Sequence, residues 1–332
     1  MRVRARSTLG ESAEARDARF LTRLSHAYAA LVALTAGQLV LGALVRAQGA
    51  GLACPDWPLC LGTYIPRMDF RVAFEFTHRV TGGIVGFLFL GLAATCLAWR
   101  KTRGLTMGWC AAGAFLLGLQ VVLGGLTVLH LLEARTVTAH LVIGNLFAAT
   151  LFVIQQRLSD ARARSSGKSA DAGHAPLRLR LPIALAGALL ALQLVLGGLV
   201  SSHSAGLACL EWPACVGGVF FPSFDGAQGL HLLHRTNGYL LLVALAVCAL
   251  LARREPRLGR LSALAVALAL VQIALGVANV LLRLPVEVTA LHSAGAAALV
   301  LLWTAIARLA FAHSGQRAKL PAEAELLLEA QG

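Results

Sequence analysis

Charge is scarce in this chain. Only 14% of its 332 residues are Asp, Glu, Lys or Arg, while 58% are hydrophobic, and mean hydropathy is +0.72. Soluble domains carry about a quarter charged residues, so the deficit excludes an ordinary soluble domain. Strict polar–apolar alternation is also missing, which excludes a membrane β-barrel. No small-residue cleavage site follows the first apolar run, and that run is too long for a cleaved signal. Glu11, Glu14 and Asp17 in the Arg-rich start argue against an organelle transit peptide. What remains is eight long apolar runs, over 24–46, 75–98, 105–129, 137–156, 181–201, 231–252, 261–282 and 287–311. Each is long enough for a spanning helix.

The net charge is +13, but the basic residues are not spread as nucleic-acid binding would require. Twenty-two of the 29 lie in five segments that share one side if eight helices alternate direction. Seven lie on the other side: Arg46, Arg67, Arg71, Arg79, Arg135, Arg235 and Arg283. This asymmetry predicts both termini in the cytoplasm and the loops after the first and fifth helices outside. It fits a bacterial inner membrane protein whose charge sets topology, with no nucleic acid as partner.

Residues 155–180 are rich in Arg, Ser, Ala and Gly and read as a flexible linker between similar halves. QLVLGALVRAQGAGLACPDWPLC from Gln38 matches QLVLGGLVSSHSAGLACLEWPAC from Gln193. THRVTGG from Thr77 matches LHRTNGY from Leu233, LQVVLGGLTV from Leu119 matches VQIALGVANV from Val271, and TVTAH ending at His140 matches EVTALH ending at His292. The match predicts an all-α integral membrane protein of two tandem, pseudo-symmetric four-helix bundles. The expected units are a tail at 1–23, a first half at 24–156, a linker at 157–180, a second half at 181–311 and a tail at 312–332. A Gln-x-x-Leu-Gly element recurs at Gln38, Gln120, Gln193 and Gln272, where helix packing or ligand contact are both open.

Four of the ten histidines, His78, His140, His234 and His292, fall near the starts of helices 2, 4, 6 and 8. Polar groups inside a membrane are expensive, and one feature kept in two copies wants a partner. Two imidazoles on neighbouring helices suit axial ligation of a heme iron. Zinc fits less well, because it wants four ligands and each half offers two. Arg79 and Arg235 follow two of these histidines and are candidates for heme propionates, or for interfacial snorkelling. Aligned at the His-Arg pairs, Glu75 in the first half meets His231 in the second. Glu75 stands three residues before His78, on the same helical face, where a carboxylate is able to orient water, move a proton or stabilise a cation. The remaining histidines, at 26, 130, 174, 203 and 313, read as solvent or interface groups.

Cys54, Cys60, Cys209 and Cys215 lie in the expected outer loops, where disulfides are permitted. Each pair reads first as a structural clip over a pocket, with dithiol exchange as the other reading. Trp57 and Trp212 suit either the membrane interface or packing on the loop. Cys96, Cys110 and Cys248 read as small buried hydrophobes.

The Glu75–Arg79 motif EFTHR, the histidines at 140, 234 and 292, the CPDWPLC loop and the duplicated halves resemble heme A synthase, a family that assembles cytochrome oxidase. The resemblance spans roughly 24–311. It implies oxidation of the C8 methyl of heme O to a formyl group through hydroxylation steps. It implies that His78 and His140 hold the substrate heme, that Glu75 is needed for the chemistry, and that His234 and His292 ligate a heme b that relays electrons. It implies loop cysteines that form disulfides or take part in turnover. Some members space the first cysteine pair by six residues, whereas Cys54 and Cys60 are spaced by five. Expected partners are heme O, the bilayer, an electron acceptor and, by analogy, a heme O synthase; a homo-oligomer stays open. The competing classes are a di-heme electron-transfer cytochrome, which gives no reason for Glu75, and a quinone-linked thiol oxidoreductase, which gives none for the paired histidines.

Overall fold

A computed structural model of the chain describes residues 2–165 and 176–311, with side chains from residue 15 onward. Eight helices follow one another: α1 (Arg2–Ala47), α2 (Phe70–Ala98), α3 (Arg100–Leu129), α4 (Ala134–Ser165), α5 (Arg180–Ser202), α6 (Gly226–Ala252), α7 (Pro256–Leu281) and α8 (Val286–Phe311). All eight are long and apolar enough to cross a membrane. Phe87, Val121, Val243 and Leu250 are among many apolar side chains exposed on them, as a lipid-facing surface needs.

α2, α3, α6 and α7 each begin five residues before the expected span, and the helices overrun furthest at two other places. α1 begins at Arg2, inside the segment read as a tail, and α4 runs to Ser165, inside the segment read as a linker. The physical reason is that residues 157–165, RLSDARARS, contain helix formers and no Gly or Pro to stop the helix. Asp160 in that stretch also accepts from Arg308 at 2.7 Å. The rest of the expected linker, 166–175, and the tail 312–332 lie outside the described residues.

Local chemistry sets the helix starts. Asp69 accepts from the N–H groups of Arg71 and Val72, both at 2.9 Å, and so caps α2. Pro256 occupies the first turn of α7, where its missing N–H leaves no bond unmade. The α3–α4 and α7–α8 turns share one backbone solution. Leu131 and Leu132 have φ of 51° and 62°, and Arg283 and Leu284 have 63° and 60°. This left-handed step presses Leu132 onto Gly51 and Leu284 onto Gly206, so each turn packs under the cysteine loop of its own half.

Two hydrophobic cores form. One gathers Tyr28, Phe89, Phe147 and Leu151 from α1, α2 and α4 with Cys110 of α3. The other gathers Ile183, Leu245, Ala265 and Trp303 from α5–α8. Between them α1 packs on α8, and α4 packs on α5 and α8. At the cysteine-loop end Arg46 donates to the Ser201 carbonyl at 2.5 Å. At the opposite end Arg308 donates to Gln156 and Asp160.

Candidate functional site

The four predicted histidines occupy one kind of seat. Each ring edge lies against a glycine on the preceding helix. The position a Cβ would take on Gly42, Gly124, Gly197 or Gly276 lies 2.9, 3.3, 3.1 or 3.5 Å from Cε1 of His78, His140, His234 or His292. Those glycines end the Gln-x-x-Leu-Gly elements. One turn earlier the glutamines of three elements address the same histidines. Gln38 donates to the His78 carbonyl at 2.7 Å and lies 3.0 Å from His78 Nδ1. Gln120 donates to the His140 carbonyl at 2.8 Å. Gln193 Nε2 lies 3.4 Å from His234 Nε2. The recurring element is therefore a cradle for a histidine. Its glycine and glutamine roles depend on which helices meet, and the sequence showed only the repeat.

Within each half the two histidines lie in electrostatic range of each other, His78 with His140 and His234 with His292. Nδ1 of His140, His234 and His292 is buried with no hydrogen-bond partner among the described residues. A buried ring nitrogen without a partner is costly unless something else meets it. No group of three or more His, Cys, Asp and Glu gathers for a metal ion among the described residues. Paired, neutral, buried imidazoles in glycine seats fit axial heme ligation and do not fit a tetrahedral metal.

Both cysteine pairs are disulfides, Cys54–Cys60 and Cys209–Cys215. The loops around them are near copies. Asp56 accepts from Leu61 N and Gly62 N at 2.7 Å, and Glu211 from Gly217 N and Gly218 N at 3.0 Å. Chiefly through the Gly62 bond, with Leu61 adding to it, this holds the Asp56 carboxyl below the ordinary carboxylate range.

Arg79 and Arg235 are each bonded to the cysteine loop of their own half. Arg79 donates to the carbonyls of Cys54, Asp56 and Leu59 at 2.6, 2.7 and 2.8 Å, and to Glu75 Oε1 at 2.5 Å. Arg235 donates to the carbonyls of Cys209, Glu211 and Ala214 and to His231 Nε2. Each guanidinium is the hub of a cysteine loop. The disulfide hairpin folds its carbonyls inward and brings no other cation to them.

Glu75 and His231 hold the same place. Glu75 is buried, with Oε2 accepting Cys54 N at 2.8 Å and Oε1 paired to Arg79. His231 is buried too; it accepts from Arg235 and therefore donates Nδ1–H to the Ala205 carbonyl at 2.9 Å. The first loop hub is thus a neutralised ion pair, and the second is a cation against a neutral imidazole.

The tryptophans differ as well. Trp57 lies flat on Gly125, its ring 3.2–3.4 Å from the Cβ position, one residue past the seat of His140. The second half carries Val277 there, and Trp212 instead donates to the Tyr239 hydroxyl at 3.0 Å. His203 bonds its own helix at the Leu199 carbonyl, His130 caps α3, and His26 meets Arg162. His174 and His313 lie outside the described residues. Cys96, Cys110 and Cys248 are buried free thiols.

The family model described as cytochrome oxidase assembly protein, COX15-CtaA, matches residues 26–73 and 68–304. The chain is similar to the heme A synthase of Shewanella oneidensis, 29% identical over 303 residues, covering 79% of this chain and 89% of the relative. It is similar to that of Rhizorhabdus wittichii, 30% identical over 80% of this chain and 88% of the relative, and to that of Paracoccus denitrificans, 27% identical over 82% and 84%. With the match running from the first spanning helix into α8 and over both histidine pairs, the chain belongs to the cytochrome oxidase assembly family COX15-CtaA.

Proposed function

We propose that this chain is a heme A synthase, a membrane oxidoreductase that converts heme O to heme A by oxidising the C8 methyl to a formyl group. The observation that carries this reading is the pair of like histidine seats that differ beside the ring, with Glu75 in one half and His231 in the other. His78 and His140 hold the substrate heme O. His234 and His292 hold a heme b, which supplies one-electron transfer when bound. Glu75 stands one helical turn before His78 and holds or passes a proton at its carboxylate. Arg79 pairs with that carboxylate and fixes the loop that shields it from water. His231 offers no carboxylate, which suits a site that only relays electrons.

The distribution of basic residues supports an orientation with both termini cytoplasmic and the disulfide loops outside. The bacterial relatives support the bacterial cytoplasmic membrane as its location. Heme O synthase is the partner that the substrate implies, and an electron acceptor completes the oxidation.

The test is extraction of hemes from cells that express this chain with a heme O synthase. Heme A is expected with the native chain and is absent with Glu75→Ala, while the low-spin heme b absorbance persists in that variant. Heme b without any heme A from the native chain would instead identify a di-heme electron-transfer cytochrome.

A further inference from the structure

The four histidine seats are alike except at one ring. Nδ1 of His140, His234 and His292 has no partner among the described residues, whereas His78 Nδ1 lies 3.0 Å from Gln38 Nε2. The direction of that bond follows from its neighbours. Gln38 Nε2 also faces the His78 carbonyl at 2.7 Å, and a carbonyl only accepts. The other end of the amide, Oε1, faces the Thr81 hydroxyl, whose single proton is shared with the Thr77 carbonyl at 2.7 Å. The NH₂ group therefore points at the ring, and Nδ1 accepts. A neutral imidazole that accepts at Nδ1 carries its proton on Nε2. Both nitrogens are then closed to a metal, Nδ1 by Gln38 and Nε2 by its own proton.

The second half has the same glutamine and lacks this grip. Asn237, at the position of Thr81, donates to Gln193 Oε1 at 2.7 Å and to the Leu189 carbonyl at 3.0 Å. Gln193 Nε2 faces the other ring nitrogen, His234 Nε2, at 3.4 Å, a contact longer than the 2.7–3.2 Å of an ordinary N–H bond, and it leaves His234 Nδ1 without a partner among the described residues.

We propose that Gln38, oriented by Thr81, is a positioning residue that holds His78 in its metal-free tautomer and so makes the first site exchangeable. The inference rests on the reading of His78 as a substrate-heme ligand. For His78 to bind iron, its proton moves from Nε2 to Nδ1 and the Gln38–Nδ1 bond breaks; the ring stays neutral and no proton is gained or lost. Heme competes with one hydrogen bond at His78 and with none at His234. A substrate site has to release its product, while a resident cofactor is kept, and the two glutamines divide along that line.

The experiment titrates heme O into protein purified from cells that lack a heme O synthase, with its second site filled by heme b. Low-spin absorbance is followed. Gln38→Leu is expected to tighten the first site roughly fivefold, the worth of one net hydrogen bond. Thr81→Val, which keeps the volume and frees the amide, is expected to tighten it by a smaller factor. Retained heme b absorbance reports that each variant is folded. Unchanged or weaker heme O binding in folded Gln38→Leu and Thr81→Val overturns the proposal. His78→Ala separates the two ideas: if it still binds heme O with the native spectrum, the ligand reading fails, whatever Gln38 does.

Discussion

Arg79→Met puts the loop hub to a quantitative test. The Arg79 side chain is 17% exposed and that of Glu75 5%, so their pair belongs with buried ion pairs and not with surface ones. Removing one partner of a buried pair costs about 3–5 kcal/mol, because the other charge is left uncompensated. Three loop carbonyls lose their donor at the same time. The closed loop should lose roughly 10²- to 4 × 10³-fold in its equilibrium against an open form, at about 1.4 kcal/mol per tenfold. Arg235→Met strips as many carbonyls but leaves no charge, since His231 is neutral and keeps its bond to Ala205. Its expected loss is about 1–3 kcal/mol. The assay is the rate at which a phosphine reductant opens each disulfide, read by mass-tagging Cys54 and Cys60 against Cys209 and Cys215. When reclosing is fast, that rate follows the open population. Each variant carries its control, the untouched loop, in the same molecule. Glu75→Gln in the Arg79→Met background removes the orphaned charge and should slow reduction of the first loop again. If Arg79→Met and Arg235→Met speed their own loops equally, or if Glu75→Gln gives no rescue, the ion-pair argument is wrong.

The glycine seats predict a crossed pattern: Gly124→Val should displace His140 and abolish heme O binding while sparing heme b, and Gly197→Val should do the reverse, both read by absorbance of the purified protein. Asp56 predicts a pH limit for the first loop. Its folded carboxyl lies below the ordinary range, so its contribution is present above the ordinary carboxylate pKa and is lost as pH falls through the depressed folded value. Fluorescence of the exposed Trp57 should therefore hold steady through the ordinary carboxylate range and change only below it, and Asp56→Asn should remove that late change.

The spans, the repeat and the paired histidines were legible because each rests on a pattern that survives projection onto one dimension: apolar length, self-similarity, and a polar residue where lipid forbids it. Arg79 and Arg235 show where that legibility ends. The carbonyls that hold each arginine belong to a loop some twenty residues earlier, and backbone acceptors leave no mark on a sequence. Gln38 shows the same limit more finely. All four Gln-x-x-Leu-Gly elements look alike, yet the grip on His78 depends on Thr81 standing where the second half has Asn237. The extension of α4 to Ser165 was hidden by composition, since Arg and Ala serve a helix as readily as a linker.

The packing between the halves has a consequence for ancestry. α1 lies on α8, and α4 on α5. If α1 corresponds to α5 and α4 to α8, the first contact maps onto the second, and the α4–α8 contact maps onto itself. That is the signature of an isologous interface, in which one surface meets its own copy about a twofold axis. A single four-helix unit carrying this surface would pair with itself, so the chain has the form of a homodimer joined into one polypeptide. Joining frees the two copies from having to be identical, and Glu75 and Thr81 stand opposite His231 and Asn237.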